Sequence, residues 1–360
     1  MNDILHIMWH MNIGGAERAL YQLVNEQNRR GICSDILVIN ELGYYGEKCK
    51  TIARNVYLLN SDNRPSREKV KVFKSIICGY KKIHFHSAEF KYIKYASKIK
   101  NIQLYYTHRA GIHKFTLKQK IRHEITGYYL RKYFQGYSAN TKLGAKSGSN
   151  IYKIPESKFQ ITYNGLEFDL LKEDKDKSEI VKLLKLKDEI VIGTNANIRS
   201  WKRIDKLLYL ASRTTEKIVF LIIGDGPDKK RLLNLAEKLG VNEKVKFIPR
   251  VENIMNYLQI IDIFILPSDN SESFGNSAVE SIAVGIPTIV FADGGGLPEH
   301  IIDGETGFIV KNDDELRTRV ITLVDDKSLR RNIGLEGKKY IRNKYSLENM
   351  IVSYNKLYEL

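Results

Sequence analysis

Apolar residues in the first part of the chain fall into short runs divided by amphipathic stretches. DILHIM and SDILVI are short and rich in β-branched and aliphatic residues, which predicts buried strands. Between them, NIGGAERALYQLVNEQNRRG passes through paired glycines into helical apolar spacing that stops at Gly31. The alternation recurs through KKIHFH, IQLYYTH and QGYSAN, the rhythm of a parallel sheet covered by helices. Residues 150–185 interrupt it with KIPESKFQITYNGLEFDLL, which holds a last strand and an Asn164-Gly165 turn, followed by the charge run KEDKDKSE. The pattern then restarts with EIVIGTNAN, a helix from about Asp205, the strand KIVFLIIGDG, the helix DKKRLLNLAEKLG, the strand KVKFIP, the helix ENIMNYLQII and the strand DIFILPS.

The expected architecture is therefore α/β: two tandem doubly wound, Rossmann-like domains facing a cleft, spanning 1–165 and 166–360. A C-terminal helix near 345–360 is placed to pack back on the first domain. The length of 360 residues suits two domains. Doubly wound sheets bind ligands outside the carboxyl ends of their strands, so candidate chemistry belongs just after the strands.

Charge changes the picture for the first half. Lys and Arg total 58 against 42 Asp and Glu, a formal net charge of +16, but the excess is uneven. Residues 1–164 hold 28 basic against 11 acidic residues, and the remainder 30 against 31. This asymmetry favours a polyanionic partner for the first half, such as a membrane surface, a phosphorylated lipid or a nucleic acid; a solvated basic surface is the plain alternative. Cys33, Cys49 and Cys78 are odd in number and lack metal-site spacing, so neither a disulfide framework nor a cysteine metal centre is expected, and a reducing cytoplasm is the simplest setting. No apolar stretch of about 18 residues suggests a membrane span, and the N-terminus lacks the pattern of a leader.

After the strand DIFILPS comes DNSESFGNSAVESIAVGIPTIV, a loop leading into a helix, with Glu272 and Glu280 separated by seven residues. Carboxylates accept hydrogen bonds from paired hydroxyls. Ser273, Phe274, Gly275 and Asn276 stand at the helix N-terminus, whose free N–H groups receive hydroxyl or phosphate oxygens. This block resembles family 4 of the glycosyltransferases, the retaining enzymes of the two-domain GT-B fold. The resemblance extends to FADGGGLPEHIIDGETGFIV, to FLIIGDGP with its strand-end Gly224, and to the N-terminal GGAE.

The resemblance implies that Glu280 binds the ribose of a nucleotide-sugar donor, with uridine diphosphate as the expected nucleotide, while Glu272 and the Phe274 and Gly275 amides meet the transferred sugar. It makes Lys202 the phosphate-binding lysine. The family's arginine partner is replaced here by Asn197, which leaves Arg199 and Arg203 as candidates for its role. Positive charge at the departing diphosphate is what a site without metal requires. No metal or redox cofactor is expected: Asp174-Lys175-Asp176 imitates a metal motif but reads as a charged linker, and Asp225-Gly226-Pro227 falls short of a dinucleotide fingerprint.

In the first half, Gly14 and Gly15 open the first helix and suit a close-approach anion loop; a tight strand-to-helix turn is the alternative. His84, His86 and His108 lie at strand ends. By the resemblance His108 lies beside the donor sugar, and with Lys202 and Glu272 it completes the expected catalytic set; His84 and His86 equally suit packing. Arg109 is a candidate acceptor-phosphate contact or a surface charge. In KFTLKQKIRHEITGYYLRKYF, Lys118, Lys120, Arg131 and Lys132 mix with Phe115, Tyr128, Tyr129, Tyr133 and Phe134. That mixture suits a membrane interface, a nucleic-acid patch or an ordinary core helix.

The expectation is a retaining transferase that moves a hexose or N-acetylhexosamine to a lipid-linked or polysaccharide acceptor in surface polysaccharide biosynthesis, held at the cytoplasmic face of the membrane, without nucleic acid. The rival from another class is a non-catalytic membrane- or nucleic-acid-binding module that uses the basic half.

Overall fold

The computed structural model describes residues 4–60, 66–87, 89–214 and 217–359. Asp3 of the first expected strand and Leu360 of the expected last helix lie outside them. The chain divides into two compact units, Met1–Gly165 with Leu347–Leu360, and Leu166–Ser346.

In the first unit, β1 (Ile4–His10), α1 (Gly15–Arg29), β2 (Ser34–Glu41), α2 (Gly43–Cys49), β3 (Val56–Leu58), α3 (Ser66–Ile77), β4 (Lys82–Phe85), α4 (Phe90–Ala96), β5 (Gln103–His108), α5 (Leu117–Tyr133), β6 (Gly136–Ala139), α6 (Lys142–Tyr152) and β7 (Phe159–Ile161) alternate along the chain. The strands pair in parallel in the order β3-β2-β1-β4-β5-β6-β7. Side chains of a strand alternate between faces, and here both faces are buried, which is why these runs are continuously apolar. Leu5, Ile7, Leu37 and Ile39 meet Phe73, Ile93 and Leu130 on one side. Ile4, Met8, Ile36 and Val38 meet Leu20, Leu23 and Val24 of α1 on the other.

The second unit runs α7 (Lys177–Leu183), β8 (Ile190–Asn195), α8 (Asp205–Ser212), β9 (Ile218–Ile223), α9 (Lys229–Lys238), β10 (Val245–Ile248), α10 (Met255–Leu258), β11 (Ile263–Leu266), α11 (Asn276–Ala283), β12 (Thr288–Phe291), β13 (Phe308–Val310), α12 (Asp313–Asp325) and α13 (Lys327–Lys344). Its parallel order is β10-β9-β8-β11-β12-β13. The charged linker ends where Asp176 caps α7 by accepting from the Ser178 amide.

The last helix, α14 (Leu347–Tyr358), belongs to the first unit and buries Met350, Ile351, Tyr354 and Tyr358 beside α1. Four such side chains contribute at most about 6–12 kcal/mol of apolar burial. In each sheet the order reverses at the first strand, between β1 and β4 and between β8 and β11. Loops leaving these neighbouring strands in opposite directions open the crevice where such sheets hold ligands.

Candidate functional site

At the β8/β11 reversal two loops converge. The one after β8 carries Asn197, Arg199 and a short 3-10 turn, Ser200–Lys202; the one after β11 carries Ser268 and Glu272. They are tied by the Asp269 amide, which donates to the Trp201 carbonyl at 2.9 Å. Lys202 and Glu272 are both buried, and the Lys202 ammonium donates to Oε2 of Glu272. Ser268 Oγ donates to the same oxygen at 3.0 Å, and the ammonium lies 4.5 Å from the centre of the Trp201 ring. A lysine and a carboxylate 70 positions apart thus neutralise one another at the strand ends.

Arg203 is committed elsewhere. Its Nε donates to the Pro267 carbonyl at 2.6 Å, one terminal nitrogen to the Ser268 carbonyl at 2.7 Å, and the guanidinium pairs with both oxygens of Asp293 at 2.7 and 2.8 Å. It binds the loops after β8, β11 and β12 together, and of the two candidates for the arginine role it is the one already occupied. Arg199 and Asn197 are exposed.

Phe274 and Gly275 precede α11. Gly275 has φ of +77°, and a Cβ there would meet Leu297 Cδ2 at 2.2 Å, so the turn that starts the helix requires glycine. Glu280 lies just past the first turn and is buried. Ser273 and Asn276 are half-buried beside it, and Gly224 follows β9.

His300, which sequence reasoning passed over inside the quoted LPEH segment, braces this turn. Its Nε2–H donates to the Phe274 carbonyl at 2.5 Å, and its Nδ1 accepts from the Tyr345 hydroxyl at 2.7 Å. Burial pushes its pKa down to about 3, so the ring is neutral and the donor stays in place.

The first unit uses its strand ends differently. Glu17 folds back on Gly14: a Cβ at Gly14 would lie 2.2 Å from Glu17 Oε2. The carboxyl accepts from its own amide and lies 3.1 Å from His10 Nδ1, and burial raises its pKa while both of these contacts oppose the rise. The N-terminus of α1 beside Gly14 and Gly15 therefore already holds a carboxyl group from within the chain.

His108 is buried between β5 and α6 rather than standing at a free surface. Its Nδ1 is 3.1 Å from the Tyr106 hydroxyl and its Nε2 3.4 Å from Ser147 Oγ, and burial lowers its pKa to about 4. Arg109 likewise departs from the acceptor-phosphate expectation. Its terminal nitrogens donate to Asn164 Oδ1 at 2.8 Å and to the Tyr354 hydroxyl at 2.9 Å, which ties it to α14.

His6, His84 and His86 bring ring nitrogens within 4.8 Å of one another. Those nitrogens are already engaged: His6 Nδ1 with His86 Nε2 at 2.9 Å, His6 Nε2 with Gln27 at 2.9 Å, and His84 with the Tyr358 hydroxyl and with Thr107 at 2.6 Å. His84 and His86 stack face to face with centroids 4.1 Å apart, and stacked rings do not aim both lone pairs at one ion. The cluster is a hydrogen-bonded seat for α14, with burial holding all three rings neutral.

In α5, Arg131 donates to the Tyr152 carbonyl and Phe134 beyond it is buried, whereas Lys118 and Lys120 are exposed and Lys132 donates to the Tyr128 hydroxyl at 3.0 Å. Arg131 is thereby part of the packing. No helix among the described residues is long and apolar enough to cross a membrane.

Residues 175–340 match the family Glycosyl transferases group 1. The N-acetyl-alpha-D-glucosaminyl L-malate synthase of Bacillus anthracis is 28% identical over 167 residues, covering 45% of this chain and 43% of that protein. The capsular polysaccharide biosynthesis glycosyltransferase CapM of Staphylococcus aureus is 30% identical over 193 residues, covering 51% and 49%. The chain thus spans under half the length of these relatives in alignment. Anabaena HepE, solved with UDP and glucose, superimposes over 100% of both chains with a TM-score of 0.87 at 18% identity, which establishes the GT-B fold.

Proposed function

We propose that this chain, which belongs to the group 1 glycosyltransferases through residues 175–340, transfers a sugar from a nucleoside-diphosphate sugar held by its second unit. The observation that carries the reading is the Lys202–Glu272 pair at the β8/β11 reversal, in the loop that leads into the N-terminus of α11. A donor satisfies both halves of that pair at once. Its diphosphate takes the ammonium, and a hydroxyl of its sugar takes the carboxylate. The complex with UDP in a neighbour of the same fold supports uridine diphosphate as the first nucleotide to try.

Departure of the diphosphate builds negative charge that Lys202 Nζ, the exposed Arg199 and the α11 amides stabilise under this reading, and preorganised charge of this kind lowers the barrier. Glu280 holds the ribose. Glu272 positions the sugar, and the leaving phosphate takes the acceptor proton on the face where it departs, so the anomeric configuration is retained. The reading supplies the positive charge from Lys202 and Arg199 and routes nothing through a metal. His108 and Arg109 act through the packing of the first unit. The acceptor is lipid-linked or a growing polysaccharide, met at the cytoplasmic face of a membrane, in keeping with a relative that serves capsular polysaccharide biosynthesis.

The test is a melting panel with UDP, GDP, ADP, TDP and CMP, repeated on Glu280→Ala. A nucleotide that raises the melting temperature of the parent and not of the variant supports the donor site. Absence of any shift, with no sugar-nucleotide turnover, overturns it.

A further inference from the structure

The two halves of α5 differ in what they touch. Thr126, Gly127 and Leu130 are buried in the first unit, whereas residues 116–122 are exposed on every side. The helix is begun there by its own capping box, Thr116 with Gln119, and not by packing. Leu117, Ile121, Ile125 and Tyr128 are 75, 55, 44 and 48% exposed. At about 100° per residue they share one side of the helix, within an arc of roughly 80°. Lys118 and Lys120 fall on opposite flanks of this row, and Lys132 continues it at the C-terminal end.

We propose that this row is a membrane-docking surface. Helix α5 lies in the plane of an anionic phospholipid surface, with Leu117, Ile121, Ile125 and Tyr128 at the acyl boundary and Lys118, Lys120 and Lys132 among the headgroup phosphates. It names the means of the membrane attachment that the functional reading assumes, and rests on that reading only for its biological purpose.

Charge selects the occupant. Residues 114–132 carry Lys114, Lys118, Lys120, Arg122, Arg131 and Lys132 against the single acid Glu124. A second copy packed on this row about a two-fold axis would set these cations against themselves. A nucleic acid would meet the cations and leave the aliphatic row in water. An anionic lipid surface satisfies both, because each basic residue near it gains attraction while the apolar face is buried. Beside the row opens a cavity of about 410 Å³, lined by Ile112 and Phe115 with His113, Lys120 and Lys153, and by one acid, Glu124. Its mixed lining suits a phosphate headgroup with the start of its acyl stem.

The full chain is sedimented with sucrose-loaded vesicles of phosphatidylcholine, with and without phosphatidylglycerol. Binding is expected only with phosphatidylglycerol, weakening as salt rises. The triple variant Leu117→Gln, Ile121→Gln, Ile125→Gln is expected to lose at least about tenfold in partitioning while its melt is unchanged, since these side chains are exposed. Lys118→Gln with Lys120→Gln is expected to erase the preference for the anionic lipid. Glu280→Ala, which under the functional reading abolishes nucleotide binding, is expected to bind vesicles like the parent, so failure of either idea is separable from the other. Vesicle binding that survives the triple variant, absence of binding to either vesicle, or a dimer in solution that the triple variant dissociates overturns the proposal.

Discussion

Changing Lys202 to methionine keeps all but the last atom of the side chain's length and removes its charge. The Glu272 carboxylate then retains the Ser268 hydroxyl but loses its counter-ion. Removing one partner of a buried pair costs about 3–5 kcal/mol; both side chains here keep 9% exposure at a strand-end rim, so the lower end, about 3 kcal/mol, is expected. Glu272→Gln is milder, about 2 kcal/mol, because the ammonium keeps the Trp201 ring, a contact worth roughly 0.5–2 kcal/mol. With both charges gone nothing is left unpaired, and the double variant is expected to cost less than the two single changes together by about 2–3 kcal/mol. For a unit of this size about 1 kcal/mol corresponds to roughly 2–4 °C, so Lys202→Met lowers the melt of the second unit by about 6–12 °C. Thermal and urea melts of the four proteins measure the coupling, and UDP titration of each separates stability from binding. Glu272→Gln, which frees the ammonium for the diphosphate, should bind UDP at least as tightly as the parent. A coupling below about 0.5 kcal/mol refutes the pair. Undiminished UDP affinity in Lys202→Met refutes its place in the donor site.

Arg199→Ala is expected to reduce kcat/KM by about 10- to 100-fold, the worth of a charged hydrogen bond, and Asn197→Arg to recover part of it; an unaffected Arg199→Ala enzyme would reject the assignment. His300→Phe removes the donor to Phe274 and should raise KM for the donor more than it lowers kcat, which steady-state kinetics will show. Chelator is expected to leave turnover unchanged, and a loss restored by one metal would reverse the metal-free reading. His6 and His108 are held near 4, below the ordinary 6.5, so the unfolded chain binds their protons first and stability falls as pH drops from 6.5 towards 4. Each costs about 1.3 kcal/mol at about pH 5.5. The first unit holds His6, His84, His86 and His108 and the second only His300, so calorimetry should find the first unit's transition falling further on acidification, partly offset by Glu17, whose raised pKa acts in the opposite sense.

The α/β class and the position of most strands were legible because short continuous apolar runs bounded by turn residues alternate with stretches of helical spacing. The SESFGNSAVE block was legible because its spacing and its place after a strand both bear on one helix N-terminus. What sequence spacing does not carry is which partner a side chain chooses. Lys202 and Glu272 are 70 positions apart, and Arg203 and Asp293 are 90 apart; only the convergence of loops after β8, β11 and β12 pairs them. His300 escaped because its work is done through a backbone carbonyl. In α5 the aromatics stand out in the sequence, but Phe134 is buried and Tyr129 and Tyr133 pack on the core, while the exposed row is mostly aliphatic.

The two units also answer a question that their sequences pose identically. Each sheet reverses order at its first strand, and each has a polar loop there, yet the two loops differ in what satisfies them. In the first unit, the carboxylate three residues after Gly14 returns to the helix start, and Arg109 is spent on Asn164 and Tyr354. These contacts are made by the chain itself and serve to seat α1 and α14. In the second, Gly275 is followed by no acid until Glu280, and the nearest charges form a pair whose members each have a natural counterpart on a nucleotide sugar. In the first unit the acid at the third position after the glycine turns back on the helix start, whereas in the second the first acid stands at the fifth position, inside the helix.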